Sequence, residues 1–398
     1  MSDMRQVAVA LHSRLSMTRD AEPQVMRIAT DSSCPSRKCT ALVLPSLTVD
    51  VPSGFAAYFV RDSKPEALPG VSLLEPSYSL PSALSYLDEG DIIRLNPRYG
   101  HLWVMYRKAS KANSMLLTEQ CNSWCVMCSQ PPVATDDRWL VDAWKSAIPL
   151  MATDTVELGI TGGEPTLLGD AFLDLLATCK QHLPQTGLHV LSNGRLFNYL
   201  SLAQQVARVD HPDLVIGISL YSDIAWQHDF IVQSPGAFDQ TIRGLLNLAR
   251  CGVRIELRVV IHSLSVPRLV GLAAFIARNL PFVEHVALMG LEPIGFARAN
   301  LASLWVDPVD YHVELESAVS ELAANSMNVS IYNHQLCVLP PTLWAFARQS
   351  ISDWKNVYLP ICEGCAVRER CGGFFHSAAR SHSRAISPIA HDGHLVPS

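Results

Sequence analysis

The stretch "TEQCNSWCVMCSQPP", residues 118 to 132, sets Cys121, Cys125 and Cys128 at spacings of four and three. A structural zinc site takes four ligands and commonly draws them from two separated Cys-x2-Cys knuckles. No fourth cysteine stands near this run. A four-iron cluster has four corners, so three thiolates hold three irons and leave one open. That incompleteness is a defect in a structural site and a requirement in one that binds a molecule directly at iron.

A second set lies near the end of the chain. "YLPICEGCAVRERCGGFF" holds Cys362, Cys365 and Cys371, and Cys337 sits upstream in "HQLCVLPP". Four thiolates suit a fully ligated auxiliary iron–sulfur cluster, with zinc as the alternative. Cys179 and Cys251 lie on or beside apolar helix faces and read as buried small hydrophobes. The sequence leaves a metal role open for Cys34 and Cys39 in "CPSRKC", an isolated pair in a poorly patterned segment.

These residues need a scaffold. From about residue 114 to 293, β-like runs ("SMLLTEQ", "TVELGIT", "GLHVLSN", "LVIGISLY", "RIELRVVI", "VEHVALMG") alternate with helical ones such as "DAFLDLLATCKQHL", where Phe172, Leu176, Cys179 and Leu183 recur at helical spacing. Six strand–helix units imply parallel strands with right-handed crossovers, too few to close an eight-stranded barrel. The expected fold is α/β: a partial (β/α)6 TIM-like barrel over residues 111–305. A small N-terminal β-rich accessory domain (1–110) precedes it, and a C-terminal Cys-rich iron–sulfur extension (306–398) follows. Strand parity sorts Ile255, Leu257, Val259 and Ile261 to one face and Glu256, Arg258 and His262 to the other. On the neighbouring strand Leu214, Ile216, Ile218 and Leu220 oppose Gly217, Ser219, Tyr221 and Asp223. The apolar faces meet helices and the polar faces line a cavity, with Tyr221 and His262 read as lining. Chemistry in such barrels collects at the C-terminal strand ends, where the three-cysteine loop falls.

Composition sets the compartment and the partners. The net charge is −6 with no Lys/Arg run, which disfavours nucleic acid. The longest uncharged apolar run, "LVGLAAFIA", is far short of the ~18 residues of a membrane helix. The start, with Asp3 and Arg5 and no apolar run, does not read as a signal peptide. A soluble, cytoplasmic protein is expected, in which the eleven cysteines serve as ligands or core and not as disulfides.

The Cys-x3-Cys-x2-Cys loop after the first barrel strand resembles the signature of the radical S-adenosylmethionine (SAM) superfamily. In that family the open iron chelates SAM, and an electron from the cluster cleaves the sulfonium to a 5'-deoxyadenosyl radical. Met127 departs from the aromatic frequent before the third cysteine. "ITGGEPTL" resembles the family's Gly-Gly-Glu-Pro segment, which implies that Gly162, Gly163, Glu164 and Pro165 receive the SAM amino group. The resemblance further implies Asn193 and Ser219 at the ribose or methionine end, and Arg258 at the carboxylate with Glu256 as a competing partner. It places Met289 and Leu291 of "VALMGLEPIG" at the adenine, mainly through backbone. The tail resembles the twitch and SPASM extensions of peptide-modifying members. A full SPASM tail has a further cysteine where this chain has Phe375, which favours the one-cluster form.

From about residue 111 onward, "LLTEQCNSWCVMCSQPP", "LMGLEPIGFARAN" and "SISDWKNVYLPICEGCAVRERCGGFF" together resemble the C-component maturases of the His-Xaa-Ser system. The resemblance implies a radical SAM enzyme that modifies a ribosomally made precursor peptide with His-Xaa-Ser repeats. It implies one open-iron [4Fe-4S] cluster, SAM, one auxiliary [4Fe-4S] cluster and an external electron donor. A second radical SAM maturase of the same system is a further implied partner. Two alternatives stay open: a radical SAM enzyme acting on a small-molecule or cofactor precursor, and a non-catalytic iron–sulfur or zinc binding subunit.

Overall fold

The computed structural model describes residues 9–10, 12–13, 22–34, 36–44, 53–61, 76–349, 357–379 and 381–390. The N-terminal residues Asp3 and Arg5, on which the signal-peptide reading rests, lie outside them. The first part is one mixed sheet of β1 (Val9–Ala10), β2 (His12–Ser13), β3 (Gln24–Ala29), β4 (Thr40–Leu44), β5 (Ala57–Arg61), β6 (Ser77–Leu80), β7 (Ile92–Asn96) and β8 (His101–Tyr106). Its order is β1-β8-β7-β3-β4-β5-β6-β2. Both faces of the central strands are buried. Ala41, Val43 and Phe59 join one apolar cluster, while Leu42, Leu44, Tyr58 and Val60 join another on the opposite face. A strand covered on both sides loses its polar alternation, so "TALVL" carries little periodic signal.

The second part is a wholly parallel sheet of β9 (Asn113–Leu116), β10 (Glu157–Thr161), β11 (Gly187–Ser192), β12 (Leu214–Ser219), β13 (Arg254–Ile261), β14 (His285–Gly290) and β15 (Val329–Tyr332), hydrogen-bonded in the order β15-β14-β13-β12-β11-β10-β9. The six expected strands follow in sequence order, as right-handed βαβ units require. A seventh, β15, pairs in parallel with β14. The sheet therefore continues past residue 305, to Tyr332. An open parallel sheet of seven strands flanked by helices is a partial α/β barrel, here with a mixed β domain in front.

The helices α1 (Trp139–Ala147), α2 (Asp170–His182), α3 (Leu200–Val209), α4 (Ala225–Val232), α5 (Ala237–Arg250) and α6 (Leu269–Asn279) follow the strands, and two short helices, α7 (Gly295–Ala299) and α8 (Leu301–Leu304), precede α9 (His312–Ala324). α2 buries Phe172, Leu175, Leu176 and Cys179, which confirms Cys179 as an apolar core residue. α4 and α5 form one corner: the Asp229 carboxylate accepts from the Gly236 and Phe238 amides at 2.5 and 2.8 Å, satisfying donors that the start of α5 would leave open. Strand parity holds for the apolar face, with Ile255, Leu257, Val259 and Ile261 in the helix-facing core beside Ile216, Ile218 and Leu220. His262, expected to line the cavity, is instead buried off its wall, because the chain turns there onto Leu264 and Ser265.

Candidate active site

The loop from Glu119 to Pro131 is clamped from both sides. At its base the Gly163 amide donates to the Thr118 carbonyl at 2.7 Å and the Glu164 amide to the Gln120 carbonyl at 2.8 Å. A Cβ on Gly162 would stand 2.7 Å from the Thr118 oxygen, and one on Gly163 2.1 Å from the Gln120 oxygen, so two glycines are needed for this approach. At its far side the Trp124 and Val126 amides donate to the Val232 and Ile231 carbonyls at the end of α4. The Phe296 amide donates to the Cys128 carbonyl at 2.8 Å and Asn300 Nδ2 to the Val126 carbonyl at 2.8 Å. Gly295, at φ +56°, lies where a Cβ would stand 2.5 Å from the Cys128 and Ser129 oxygens. Arg195 completes the clamp, donating to the Asn122 carbonyl and the Ser123 hydroxyl while Gln240 Oε1 holds its Nε at 2.7 Å.

A cavity of about 220 Å³ opens beside the loop. Cys121, Cys125 and Cys128 line it together with Gly162 and Gly163 at the end of β10, Asn193 after β11, Ser219 on β12 and Arg258 on β13. Burial pushes the Cys121 thiol up to about 11, with the Glu164 charge adding to it, and raises Cys125 and Cys128 as well. Such thiols stay protonated until a metal displaces the proton, which is the donor chemistry a soft cluster takes. Among the described residues no three His, Cys, Asp or Glu side chains converge on a single ion. The three thiols line one cavity. A four-iron cube presents separate corners to its thiolates, so its ligands stand farther apart than those around one ion. The donor type and the shared cavity suit such a cluster.

The expected ligand-binding residues divide. Asn193 lines the cavity, with Nδ2 donating to Asn122 Oδ1 at 2.6 Å, and Ser219 lines it too. Glu164, expected to meet an ammonium, is fully buried and off the cavity wall. Its carboxylate accepts from the Thr166 amide and hydroxyl, the Ser192 hydroxyl and the Asn193 amide. Burial raises its pKa against those hydrogen bonds. It is a strut that joins the ends of β10 and β11, because the chain turns at Pro165 directly behind it. Arg258 reaches the cavity while Nη1 donates to Glu256 Oε1 at 2.6 Å, so the competing partner is engaged. Burial works to raise the Glu256 carboxyl, yet hydrogen bonds from His189 and His285 and the Arg258 charge hold it well below the usual range. Met289 lies beside Arg258, its sulfur 3.3 Å from Nη2, and Leu291 packs with Met127 and Tyr221 in a small apolar cluster.

Sequence reasoning missed Arg195, Gly295, Asn300, His228 and Gln130. The first three act on backbone far away in sequence, and no local pattern announces that. His228 lines the cavity with its Nδ1 accepting from the Tyr221 amide, and burial lowers its pKa to about 4. Gln130 sits two residues past the third cysteine, a position with an amide in view but no motif to mark it.

In the tail, Cys337, Cys362, Cys365 and Cys371 occupy two adjoining apolar clusters that share Cys337. Burial raises Cys337 to about 11, and the charges of Cys371 and Cys362 act on it, so these thiols lie within electrostatic reach. The Ile389 amide donates to Cys365 Sγ at 3.4 Å. Among the described residues here, regular structure is limited to short 3-10 turns and isolated bridges. Cys34 packs on the N-terminal core with Sγ 3.7 Å from Thr40 Oγ1, and Cys39 is exposed.

The architecture is thus a partial parallel barrel with a cysteine-walled cavity at its C-terminal strand ends. No protein-family model and no curated protein matches the chain. Among solved structures it is similar to Streptococcus suis SuiB bound to S-adenosylmethionine, at 14% identity and a TM-score of 0.46 over 60% of this chain and 53% of that one. It is likewise similar to anSMEcpe with bound AdoMet (13%, 0.45, 69% and 88%) and to methylornithine synthase PylB (11%, 0.40, 55% and 63%). The chain spans about half the length of SuiB.

Proposed function

We propose that this chain is a radical SAM enzyme that modifies a ribosomally made peptide of the His-Xaa-Ser type. One observation carries the reading: the three thiols of an incomplete cluster set share one cavity with Gly162, Gly163, Asn193, Ser219 and Arg258. Cys121, Cys125 and Cys128 would hold the first cluster, and Cys337, Cys362, Cys365 and Cys371 an auxiliary one. The bound cluster and SAM supply the electron and the sulfonium from which a carbon radical is made. The chain's own residues do the rest. The clamp of Gly163, Phe296 and Arg195 fixes the loop, Arg258 offers a cation to a carboxylate, and the buried strand ends exclude water. The sequence resemblance to the His-Xaa-Ser maturases supports a peptide substrate, a second maturase as partner and an external electron donor.

A second reading, a small-molecule substrate, is kept because the cavity, at about 220 Å³, is narrow for a peptide segment. Anaerobic incubation with SAM, reductant and a His-Xaa-Ser peptide separates these readings. The expected result is 5'-deoxyadenosine together with a mass change on the peptide. 5'-Deoxyadenosine with an unchanged peptide favours the small molecule, and no SAM cleavage returns the chain to the binding-subunit class.

A further inference from the structure

Residues 383–390 lie against the tail thiols, and both isoleucines of this segment are buried there. Ile386 clusters with Cys337, Cys362, Val338 and Phe374, and Ile389 with Cys337, Cys365, Cys371 and Leu336. Each tail cysteine thus belongs to a cluster that one of these isoleucines completes. The start of the segment is fastened to the residues leading into α9. Ser383 Oγ donates to Asp307 Oδ1 at 2.5 Å, the Arg384 amide donates to Asp307 Oδ2 at 2.9 Å, and the Arg384 guanidinium pairs with Asp310. Its end is joined to the cysteine loop, where the Ala366 amide donates to the Ile389 carbonyl at 2.9 Å. In return the Ile389 amide donates to Cys365 Sγ at 3.4 Å. Burial raises the Cys337 thiol, and a backbone hydrogen bond from Ser387 works against that rise.

We propose that residues 383–390 are a strap over the tail cluster, which Ile386 and Ile389 shut off from solvent and whose redox potential is set in part by the backbone amides the strap brings to sulfur. This rests on the reading of the tail as an iron–sulfur site. A thiolate bound to iron keeps lone pairs that accept from an N–H. Reduction adds negative charge that the sulfurs share, and donors aimed at them stabilise that charge, so each such amide raises the potential. Packing alone accounts for the two isoleucine side chains. It does not account for amides delivered to Cys365 and Cys337, or for a pin at each end of a segment with no helix or strand of its own.

The test is an anaerobic potentiometric titration of the reconstituted full chain followed by electron paramagnetic resonance, with the rate at which a chelator strips iron measured alongside. The tail signal is the one lost in Cys365→Ala combined with Cys371→Ala. Ile389→Pro removes the N–H at Cys365 and should lower the tail potential, while the first cluster keeps its wild-type potential and the chain its about eight irons. Ile389→Ala keeps the N–H but trims the cover, so the tail potential should hold while the chelator strips that cluster several-fold faster. Where the proline variant does not load, Ser383→Ala with Arg384→Ala serves in its place. It unfastens the strap at Asp307 and Asp310, and should lower the tail potential and speed the stripping together. A tail potential that does not move in the loaded proline or double variant, or a stripping rate in Ile389→Ala equal to wild type, overturns the strap while both clusters stand. Wild type that holds zinc at the tail, or a single cluster, overturns the iron–sulfur reading of the tail and the strap's role with it.

Discussion

Gly163 and Gln120 approach so closely that a Cβ on the glycine would stand 2.1 Å from the Gln120 carbonyl oxygen. This contact joins the end of β10 to the start of the cysteine loop, and both sides of it are backbone. A flexible side chain cannot yield here, so any residue larger than glycine must push the loop outward. Gly163→Ala should lose about 1–3 kcal/mol of stability, the usual cost of overpacking, and should fail to load the first cluster. Iron analysis should fall from about eight per chain to about four, the tail cluster being retained. Full iron loading in a folded variant would show that the loop tolerates the shift.

The buried carboxylate of Glu164 accepts four hydrogen bonds, two from Thr166 in its own turn and two, from the Ser192 hydroxyl and the Asn193 amide, that tie this turn to the end of β11. Glu164→Gln keeps the shape but replaces one acceptor oxygen with a donor that faces other donors. Stability should fall by about 1.5–3 kcal/mol, as for hydrogen bonds to a charged group. Because the Asn193 amide is one of those donors, SAM affinity should weaken through Asn193 while iron content holds. Urea unfolding and dialysis read the two effects separately. Weaker SAM binding at unchanged stability would restore a direct ligand role to Glu164.

The barrel was legible because its strands alternate with amphipathic helices and keep their parity: Leu257 and Val259 are buried, while Arg258 between them reaches the cavity. The loop was legible because its ligands are close in sequence. β15 falls beyond the six expected strands, since four residues, Val329–Tyr332, do not state their partner. The hydrogen bonds of Glu164 were not legible, because a carboxylate beside two glycines has the same letters whether or not it accepts from Ser192. The clamp by Arg195 depends on contacts across more than seventy residues, beyond any local pattern.

His262 and His334 are buried, and burial lowers the pKa of each to about 4 from an ordinary 6.5. Between those values the unfolded chain takes up protons that the folded chain refuses, so each histidine makes stability fall as pH drops from about 7 toward 4. Burial raises Glu164, which acts with the opposite sign, so the histidine share is isolated by substitution. His334 Nε2 accepts from the Tyr311 hydroxyl at 2.7 Å and its Nδ1 donates to the Tyr332 carbonyl at 2.9 Å, a geometry suited to the neutral ring. His334→Gln should lower Tm at pH 7.5 and flatten its decline from pH 7.5 to 5. An unchanged slope would show that His334 does not titrate in this window.

On the proposed function, the tail cysteines allow activation of SAM to be tested apart from work on the substrate. Four thiolates on one cluster leave no corner open, so an auxiliary cluster held by Cys337, Cys362, Cys365 and Cys371 cannot chelate SAM. The three-cysteine loop and the tail thiols occupy separate places in the fold. Cys125 packs with Met127 and Tyr221, whereas Cys365 and Cys371 pack with Leu336 and Ile389. Cys365→Ala combined with Cys371→Ala should therefore keep the first cluster, bind SAM and release 5'-deoxyadenosine, while modification of the peptide falls to background. Removing the cluster also loosens the segment it ties, since metal binding and folding are coupled. Circular dichroism and the absorbance of the remaining cluster must accordingly match an intact barrel before the assay is read. A folded double variant that modified peptide at the wild-type rate would reduce the tail cluster to a structural tie.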